Sequence, residues 1–281
     1  MVLDLTIAIP VRNEEHSLPI CLEAIGENFA RYVVVIDSSS SDATQDVALA
    51  YGAEVINFNW NGNFPKKRNW FLRHHTPTTT WVLFLDADEI VTPAFKQEVE
   101  KAIYSTNHQA FLLSYNVYFL GRRLRGGVPL RKLSLFRVGE VEYEKIDEDH
   151  WSQCDMEVHE HPQATGTVGV VRSRIDHRDL SSIDRYMAKH RQYAAWESRL
   201  LYSYRQAPKV SSGWKPHQRL KYWLIRSPWG GIAYFLVSFF PMGGWRDGSV
   251  GFAFCLLKAS YYVEIFCRLR ELELAEGSNQ S

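Results

Sequence analysis

The fold follows from one stretch of sequence, Trp81-Val-Leu-Phe-Leu-Asp-Ala-Asp-Glu89. Its five leading apolar residues are too few for the core of a helix, and they predict a strand buried on both faces. Ligands bind at the carboxyl ends of strands in an open α/β sheet, and side chains two residues apart share one face of an extended chain. We therefore expect the carboxylates of Asp86 and Asp88 to converge on one point.

Two converging carboxylates favour a hard cation. Mg²⁺ and Mn²⁺ are usually held by one or two carboxylates, while waters and substrate phosphates complete the coordination. The stretch therefore predicts a site for Mg²⁺ or Mn²⁺ and a phosphate compound, with Asp86 and Asp88 as metal ligands. The alternative is an acidic turn, since aspartate is common in turns for reasons unrelated to metals.

Composition indicates a globular protein with an uneven distribution of charge. The chain has 281 residues, of which 46% are hydrophobic, so it can bury one large core or two unequal ones. The formal net charge is zero, which argues against a general nucleic-acid binder. Residues 209–270 nevertheless contain nine Lys and Arg against two acids, which indicates an anionic partner for this part of the chain.

Strands and helices alternate over the first 105 residues. Apolar runs predict strands at 5–10, 32–36 and 54–58 before the one at 81–85, and helices are expected at 18–28, 43–51 and 64–75, the last capped by Asn63. This alternation predicts a mostly parallel sheet with right-handed crossovers. Polar residues follow the strands at the same edge as the acidic pair: Arg12, Asn13, Glu14, Asp37, Asp42, Lys66, Lys67 and Arg68.

This edge lacks the glycine-rich phosphate loops. Neither G-x-x-x-x-G-K-[ST] nor G-x-G-x-x-G follows these strands, so we expect metal and basic side chains to bind the phosphates. Asp37 can accept a hydrogen bond from an N–H of the nucleobase, and Lys66 or Arg68 can face a diphosphate. As alternatives, Asp37 and Asp42 could be turn and capping residues, and the Lys-Lys-Arg run a solvated helix face.

Four motifs in this region resemble those of a known family. They are Ile7-Ala-Ile-Pro-Val-Arg-Asn-Glu-Glu15, Val35-Ile-Asp-Ser-Ser-Ser-Ser-Asp-Ala-Thr44, Lys67-Arg-Asn69 and Leu83-Phe-Leu-Asp-Ala-Asp-Glu89. In order and spacing they look like the nucleotide-sugar motifs of family 2 glycosyltransferases, and the match covers about residues 4–105. The resemblance implies the GT-A fold, an inverting transfer from a nucleotide-diphosphate sugar, and a metal-binding D-x-D at Asp86 and Asp88. It also implies a nucleotide-sugar site made of Pro10, Arg12, Asn13, Glu14, Asp37, Lys66, Arg68 and Asp86.

Residues 106–180 are expected to bind the acceptor. A long strand at 110–119, a basic turn at 121–127 and a return strand at 132–137 are predicted. The turn could present Arg122, Arg123 and Arg125 to an anionic acceptor or only to solvent.

The segment Asp155-Met-Glu-Val-His-Glu-His-Pro162 is dense in groups that can move protons. An inverting transfer needs a base within hydrogen-bond reach of the acceptor hydroxyl. Glu160 is the first choice and Glu157 the second, because Val-His-Glu looks like the segment that carries the base in the subgroup acting on lipopolysaccharide core and related envelope glycans. An edge strand of satisfied polar residues is the alternative. His177 follows a short predicted strand and is a third candidate metal ligand, although a lone histidine is more often structural.

The C-terminal third is expected to be helical and to face a membrane. A long amphipathic helix is predicted from 182 to 204. Residues 227–245 are uncharged but are interrupted by glycine and proline, and a second apolar run is broken at Lys258. Tryptophans beside cations are typical of a membrane interface, so we expect a peripheral or monotopic attachment to the cytoplasmic face of the cell membrane. A buried helical subdomain or an oligomer interface is the alternative.

Three regions follow from these patterns: residues 1–105 for the nucleotide sugar, 106–180 for the acceptor, and 181–281 for the membrane. The predicted reaction moves a sugar to a hydroxyl of a membrane-associated glycan or lipid-linked acceptor in envelope polysaccharide or lipopolysaccharide biosynthesis. The alternative is a catalytically inactive, membrane-attached nucleotide-binding or scaffold protein. Intact carboxylates at positions 37, 86, 88 and 160 favour the enzyme.

Overall fold

The chain forms two compact units. The computed structural model describes residues 2–105, 107–146, 155, 161–179, 182–206 and 222–279. The first unit comprises Met1–Arg123 and Pro129–Leu180, and the second comprises Leu124–Val128 and Ser181–Ser281.

The first unit is built on a large mixed sheet. Its strands are β1 (Leu3–Val11), β2 (Ala30–Asp37), β3 (Glu54–Asn57), β4 (Trp81–Phe84), β5 (Glu89–Ile90), β6 (Ala110–Phe119), β7 (Arg122–Arg123), β8 (Arg131–Arg137) and β11 (Val168–Arg178). The main path runs β3-β2-β1-β4-β8-β6-β11-β5, and β7 pairs with β6. The short strands β9 (Val141–Tyr143) and β10 (Pro162–Ala164) pair separately.

The sheet directions confirm the predicted α/β class. Strands β1 to β4 are mutually parallel, β8 runs antiparallel between β4 and β6, and β11 is parallel to β6. All four residues of β4 are buried because β4 lies between β1 and β8 in the middle of the sheet. The acidic stretch after β4 therefore begins at the centre of the sheet edge.

Helices cover both faces of the sheet. They are α1 (Leu18–Ile25), α2 (Thr44–Ala50), α3 (Lys67–His74) and α4 (Pro93–Ser105). Apolar side chains of α1, α2 and α4 join one hydrophobic core, and Phe71 of α3 joins the core on the other face. This three-layer packing holds the ends of the parallel strands at one edge.

Two local predictions in this unit are wrong. Helix α3 begins at Lys67, its N-cap residue is Lys66, and Asn63 does not cap it. The reason is Pro65, since a residue before proline, here Phe64, is disfavoured in helical conformation. His177 lies inside β11 rather than after a short strand, because β11 continues alongside β6 as far as Arg178.

The second unit is helical. Its long helices in the described ranges are α5 (Ile183–Gln206), α6 (Gly230–Phe239) and α7 (Gly248–Asn279), with a 3-10 turn at Gly244–Asp247. Helix α7 continues through Lys258, where the sequence interrupts the apolar run: the Lys258 ammonium lies 2.9 Å from Nε2 of His190 on α5, which gives the charge a polar partner within the helix.

Helix α7 with the preceding turn is the one stretch in the described ranges that is long and apolar enough to cross a membrane, by length and composition only. Only 22% of its apolar window is buried within the protein, whereas the core helix of a soluble protein is mostly buried.

Candidate functional site

Asp86 is held between two cations at the carboxyl end of β4. Nη2 of Arg68 on α3 lies 2.8 Å from Oδ1, and Nζ of Lys132 on β8 lies 2.6 Å from Oδ2. Each carboxylate oxygen therefore accepts a charge-assisted hydrogen bond, the stronger class of hydrogen bond in proteins. The carboxylate of Asp86 is fixed before any ligand binds.

Lys132 also binds Glu89, which is almost completely buried. Its Nζ lies 2.6 Å from Oε1, and the Tyr115 hydroxyl lies 3.5 Å from Oε2. Burial raises the pKa of Glu89, and the nearby Lys132 opposes that shift. Burial alone would lower the pKa of Lys132, but the carboxylates of Asp86 and Glu89 more than offset it and raise that pKa well above its ordinary value. Lys132 therefore stays charged and connects the two acids.

Sequence reasoning missed Lys132. The residue lies in a strand that was predicted, but its role depends on register: Leu83 of β4 pairs with Leu135 and Leu113 of β6 pairs with Lys132. These pairings bring the ammonium to the acids after β4. A charged residue at the start of an otherwise apolar strand was the available signal.

Asp88 and His177 form the second part of the site. Pairing of β11 with β5 places His177 opposite Glu89, and its Nε2 lies 3.6 Å from Oδ2 of Asp88. The backbone N–H of Arg178 donates to the Asp88 carbonyl at 2.8 Å, which fixes the acidic turn to β11.

The donor set of this pair fits a divalent cation. Oδ1 of Asp88 is buried and has no hydrogen-bond partner among the described residues. A buried carboxylate oxygen without a partner is costly unless a cation or water binds it. Within the described ranges no group of three or more His, Cys, Asp or Glu side chains is arranged to hold a metal, so phosphates and waters would supply most of the ligands.

Asp37 lies at the end of β2 and is fully buried. Its carboxylate accepts hydrogen bonds from the backbone N–H of Ser40 at 3.0 Å, from the Ser40 hydroxyl, and from Nε2 of Gln45 at 2.6 Å. In the present conformation Asp37 therefore organises the loop that follows β2.

The loop after β1 is fastened to the loop after β2. Asn13 has a positive φ of 56°, and its Oδ1 accepts from the backbone N–H of Ser41 at 2.8 Å. The N–H of Glu14 donates to the Thr44 hydroxyl at 2.8 Å. Asp42 accepts from the N–H groups of Thr44 and Glu15, so it takes the loop-stabilising role that the sequence left open.

The Lys-Lys-Arg run is buried, and the solvated-face alternative is wrong. Lys66, Lys67 and Arg68 all have less than a tenth of their surface exposed. Nζ of Lys67 donates to the Val11 carbonyl at 3.0 Å and lies 3.4 Å from Oδ2 of Asp155. Burial lowers the pKa of Lys67, and Asp155 opposes that shift. Of the three, Arg68 contacts the acidic stretch and Lys67 links the end of β1 to Asp155.

The remaining candidates lie on β1, directly after β1, or in the segment 155–162. Pro10 is buried in β1, and Arg12 is exposed after it. Asp155 is described, whereas the candidate bases Glu157 and Glu160 lie outside the described residues. Sequence reasoning thus identified the residues at the strand ends, and the structure brings Arg68, Asp86, Asp88 and His177 to one edge.

Comparison with known proteins supports this picture for the first unit. The model of the family "Glycosyl transferase family 2" matches residues 6–153. A protein of Rickettsia typhi named "Uncharacterized glycosyltransferase" is 30% identical over 112 residues, which is 40% of this chain and 37% of the relative. The glycosyltransferase SunS of Bacillus subtilis is 28% identical over 99 residues, which is 34% of this chain and 23% of that protein. The chain thus spans little more than a third of the length of the first of these relatives.

Among solved structures, similarity extends to glucosyl-3-phosphoglycerate synthase from Mycobacterium tuberculosis in complex with Mn²⁺, uridine diphosphate and glucosyl-3-phosphoglycerate. Sequence identity is 22%, the TM-score is 0.32, and the match covers 42% of this chain and 44% of that one.

Proposed function

The chain belongs to glycosyl transferase family 2, and on this premise we propose that it transfers a sugar, with inversion, from a nucleotide-diphosphate sugar to a hydroxyl of a membrane-associated glycan or lipid-linked acceptor. The observation that carries the proposal is the sheet edge itself. A buried Asp88 oxygen that has no hydrogen-bond partner in the described part of the chain lies beside His177, and two cations, Arg68 and Lys132, hold the neighbouring Asp86. Such an edge suits a phosphate compound bound with a divalent cation.

The residues of the chain take separate roles in this proposal. Of the three predicted metal ligands, Asp88 and His177 would hold Mg²⁺ or Mn²⁺, which when bound would offset charge on the leaving diphosphate. Asp86 is left out of this set because Arg68 and Lys132 already bind its two carboxylate oxygens. Arg68 and Lys132 keep Asp86 oriented and offset part of the negative charge of the acidic stretch. Pro10, Arg12, Asn13, Glu14, Asp37 and Lys66 complete the proposed nucleotide-sugar site.

Proton transfer is assigned to the segment around residue 160. Glu160 would accept the proton of the acceptor hydroxyl as that oxygen bonds to the sugar, and Glu157 is the second candidate. Asp155 is a poorer candidate because its carboxylate lies beside the buried ammonium of Lys67.

Membrane attachment is assigned to the second unit. Large apolar side chains are exposed on α6, at its N-cap and in the turn after it: Trp229, Ile232, Leu236, Val237, Phe240, Met242 and Trp245. An exposed patch of this kind marks a partner or a membrane. Because Lys258 in the middle of α7 contacts His190, we favour a monotopic attachment at the cytoplasmic face over a spanning helix, with an envelope glycan or lipopolysaccharide as the acceptor.

A hydrolysis screen tests the proposal. Purified protein is incubated with a panel of nucleotide-diphosphate sugars, with Mn²⁺ or with excess chelator, and release of the nucleotide is measured. We expect slow release from at least one donor, dependent on the metal and lost in Asp88→Asn. Metal-dependent nucleotide binding with no release or transfer across the panel would instead favour the inactive scaffold.

A further inference from the structure

A second charged region lies on the opposite face of the sheet from the acidic pair. Side chains alternate between faces along a strand, so Tyr115 of β6 shares a face with His177 of β11, while Ser114, Asn116 and Tyr118 point to the other face. Strand register then places four arginines beside these three residues. We name them the arginine face: Arg123 of β7, Arg131 of β8, and Arg174 and Arg178 of β11.

The four arginines of the arginine face form two rows, and each row crosses three strands with β6 in the middle. Arg131 and Arg174 are the cross-strand neighbours of Ser114, one on each side. Arg123 and Arg178 flank Tyr118 in the same way. Ser114 and Tyr118 are four residues apart along β6, so the rows lie about 13 Å apart, and the arginines within a row are about 10 Å apart at their backbones.

One buried carboxylate fixes this surface. Asp176 lies between the rows and accepts hydrogen bonds from Nδ2 of Asn116 at 2.7 Å, the Tyr118 hydroxyl at 3.0 Å and Nη2 of Arg178 at 2.8 Å. The Arg178 guanidinium also lies 4.8 Å from the centre of the Tyr118 ring, and Nη1 of Arg174 lies 3.4 Å from Oδ1 of Asn116. Both arginines of β11 are therefore held in place before a ligand arrives, which reduces the entropy lost on binding.

The face carries a net positive charge. Asp176 is the acid between the rows, and it stands against four exposed arginines. Among the described residues, the side chains of Arg123 and Arg131 show no ion pair or hydrogen bond. Guanidinium groups match phosphate and carboxylate geometry with two parallel hydrogen bonds, so the expected partner carries several such anionic groups.

The location of the face relates it to the proposed reaction. Arg178 directly follows His177, and its backbone N–H binds the Asp88 carbonyl, so the row beside Tyr118 ends at the same sheet edge as the acidic pair. We propose, building on the proposed function, that the arginine face binds the acceptor and that the acceptor is an anionic glycan bearing phosphate groups. Tyr118 offers the sugar rings an aromatic surface between two arginines.

This assignment divides the basic turn predicted from sequence. Arg123 belongs to the arginine face. Arg125 does not, because its guanidinium donates to the Arg246 carbonyl at 2.7 Å within the second unit. The acceptor surface therefore uses arginines that are dispersed along the sequence and are brought together by the register of β6.

Binding of a defined probe tests the proposal. The probe is maltopentaose bearing phosphate monoesters, the reference is unmodified maltopentaose, and affinity is measured by calorimetry at two salt concentrations. The test variant is Arg131→Gln with Arg174→Gln. The matched control is Arg31→Gln with Arg73→Gln, which removes the same charge from exposed arginines of β2 and α3, outside the face. Melting curves verify that each variant folds.

We expect the phosphorylated probe to bind in preference to the neutral one, about tenfold or more weakly in the test variant, and within twofold of wild type in the control. An equal loss in both variants would reduce the effect to general charge and overturn the proposal. Equal binding of the phosphorylated and the unmodified sugar would also overturn the proposal. Binding to anionic vesicles is measured as well, and vesicle binding that depends on these arginines, without binding of either sugar, would overturn it in the same way. Donor hydrolysis with Mn²⁺ is measured in parallel: hydrolysis without probe binding refutes only this inference, and probe binding without hydrolysis refutes only the proposed function.

Discussion

The sheet edge of the first unit and helix α6 of the second unit differ in which side chains they expose to water. At the edge, charged groups such as Glu89 and Lys67 are removed from water and matched by partners within a few ångströms. On α6 and at its C-cap, large apolar side chains such as Leu236 and Phe240 are about half exposed. Burying an ion without a partner costs several kcal/mol, and leaving a large apolar side chain in water forfeits about 1.5–3 kcal/mol. The edge is therefore arranged for a charged ligand and the helix for an apolar phase.

The largest expected effect is at Asp88. Asp88→Asn keeps the shape of the side chain but removes the charge that would hold the metal, so we expect donor turnover to fall by about a thousandfold or more. Asp46→Asn is the matched control, because Asp46 is exposed on α2 away from the acidic stretch. If Asp88→Asn, measured in excess chelator, turned over the donor as fast as the wild type, the metal site would be refuted.

The next largest effect is expected at Glu160, the proposed general base. Glu160→Gln retains hydrogen-bonding reach but not basicity, so transfer should fall by roughly 10²–10⁴ while donor affinity barely changes. Glu157→Gln is the matched control and should cost much less. We would exchange the two assignments if Glu160→Gln were near wild type and Glu157→Gln were inactive. Asp155→Asn is a weaker control, since it also removes the partner of Lys67.

Variants of Lys132 test whether the ion pairs at the sheet edge stabilise the fold as well as serving the reaction. Lys132→Met leaves Glu89 buried beside Asp86 without its cation, so we expect the free energy of unfolding to fall by about 3 kcal/mol. Adding Glu89→Gln removes the uncompensated charge and should recover part of the loss. Lys96→Met is the control, because Lys96 donates to the Ile25 carbonyl and has no carboxylate partner in the described ranges. Denaturant midpoints measure all three variants.

Exposed apolar residues provide the corresponding test in the second unit. Leu236→Glu with Phe240→Glu should weaken binding to anionic vesicles by about tenfold or more, since each side chain would bury apolar surface in the lipid. The control is Leu49→Glu with Tyr51→Glu, which makes the same change at exposed apolar positions of the first unit. Equal sedimentation of wild type and both variants would favour the buried-subdomain or oligomer alternative.

Sequence patterns predicted the parts of this protein that depend on local order. The apolar strands and the acidic stretch after β4 were found because hydrophobic runs and turn residues determine them locally. Lys132, Asp176 and the arginine face were missed because their roles depend on pairing between β8, β6 and β11, and register is not visible in one sequence. The position of Pro65 before α3 was visible, and the capping prediction at Asn63 gave it too little weight.

The smallest expected effect concerns the pH dependence of Asp176. Burial alone would raise the pKa of Asp176, but hydrogen bonds from Asn116, Arg178 and Tyr118 outweigh it and lower that pKa. A carboxyl whose pKa is lowered by folding stabilises the protein above its ordinary pKa, about 3.9, and the contribution is lost as pH falls through the folded value. Asp176→Asn should therefore lower the free energy of unfolding by about 1–2 kcal/mol at pH 7 and by progressively less toward pH 3.

Urea midpoints at pH 7, 4.5 and 3 measure this convergence. The matched control is Glu264→Gln in the second unit, where Glu264 pairs with Arg268 one turn along α7 in a half-exposed setting. Such a helix pair contributes about 0.3–0.5 kcal/mol, so its variant should stay close to wild type at every pH. A constant difference between wild type and Asp176→Asn from pH 7 to pH 3 would mean that the ionised carboxylate does not hold the arginine face, and that the Asp176 side chain acts there through its shape alone.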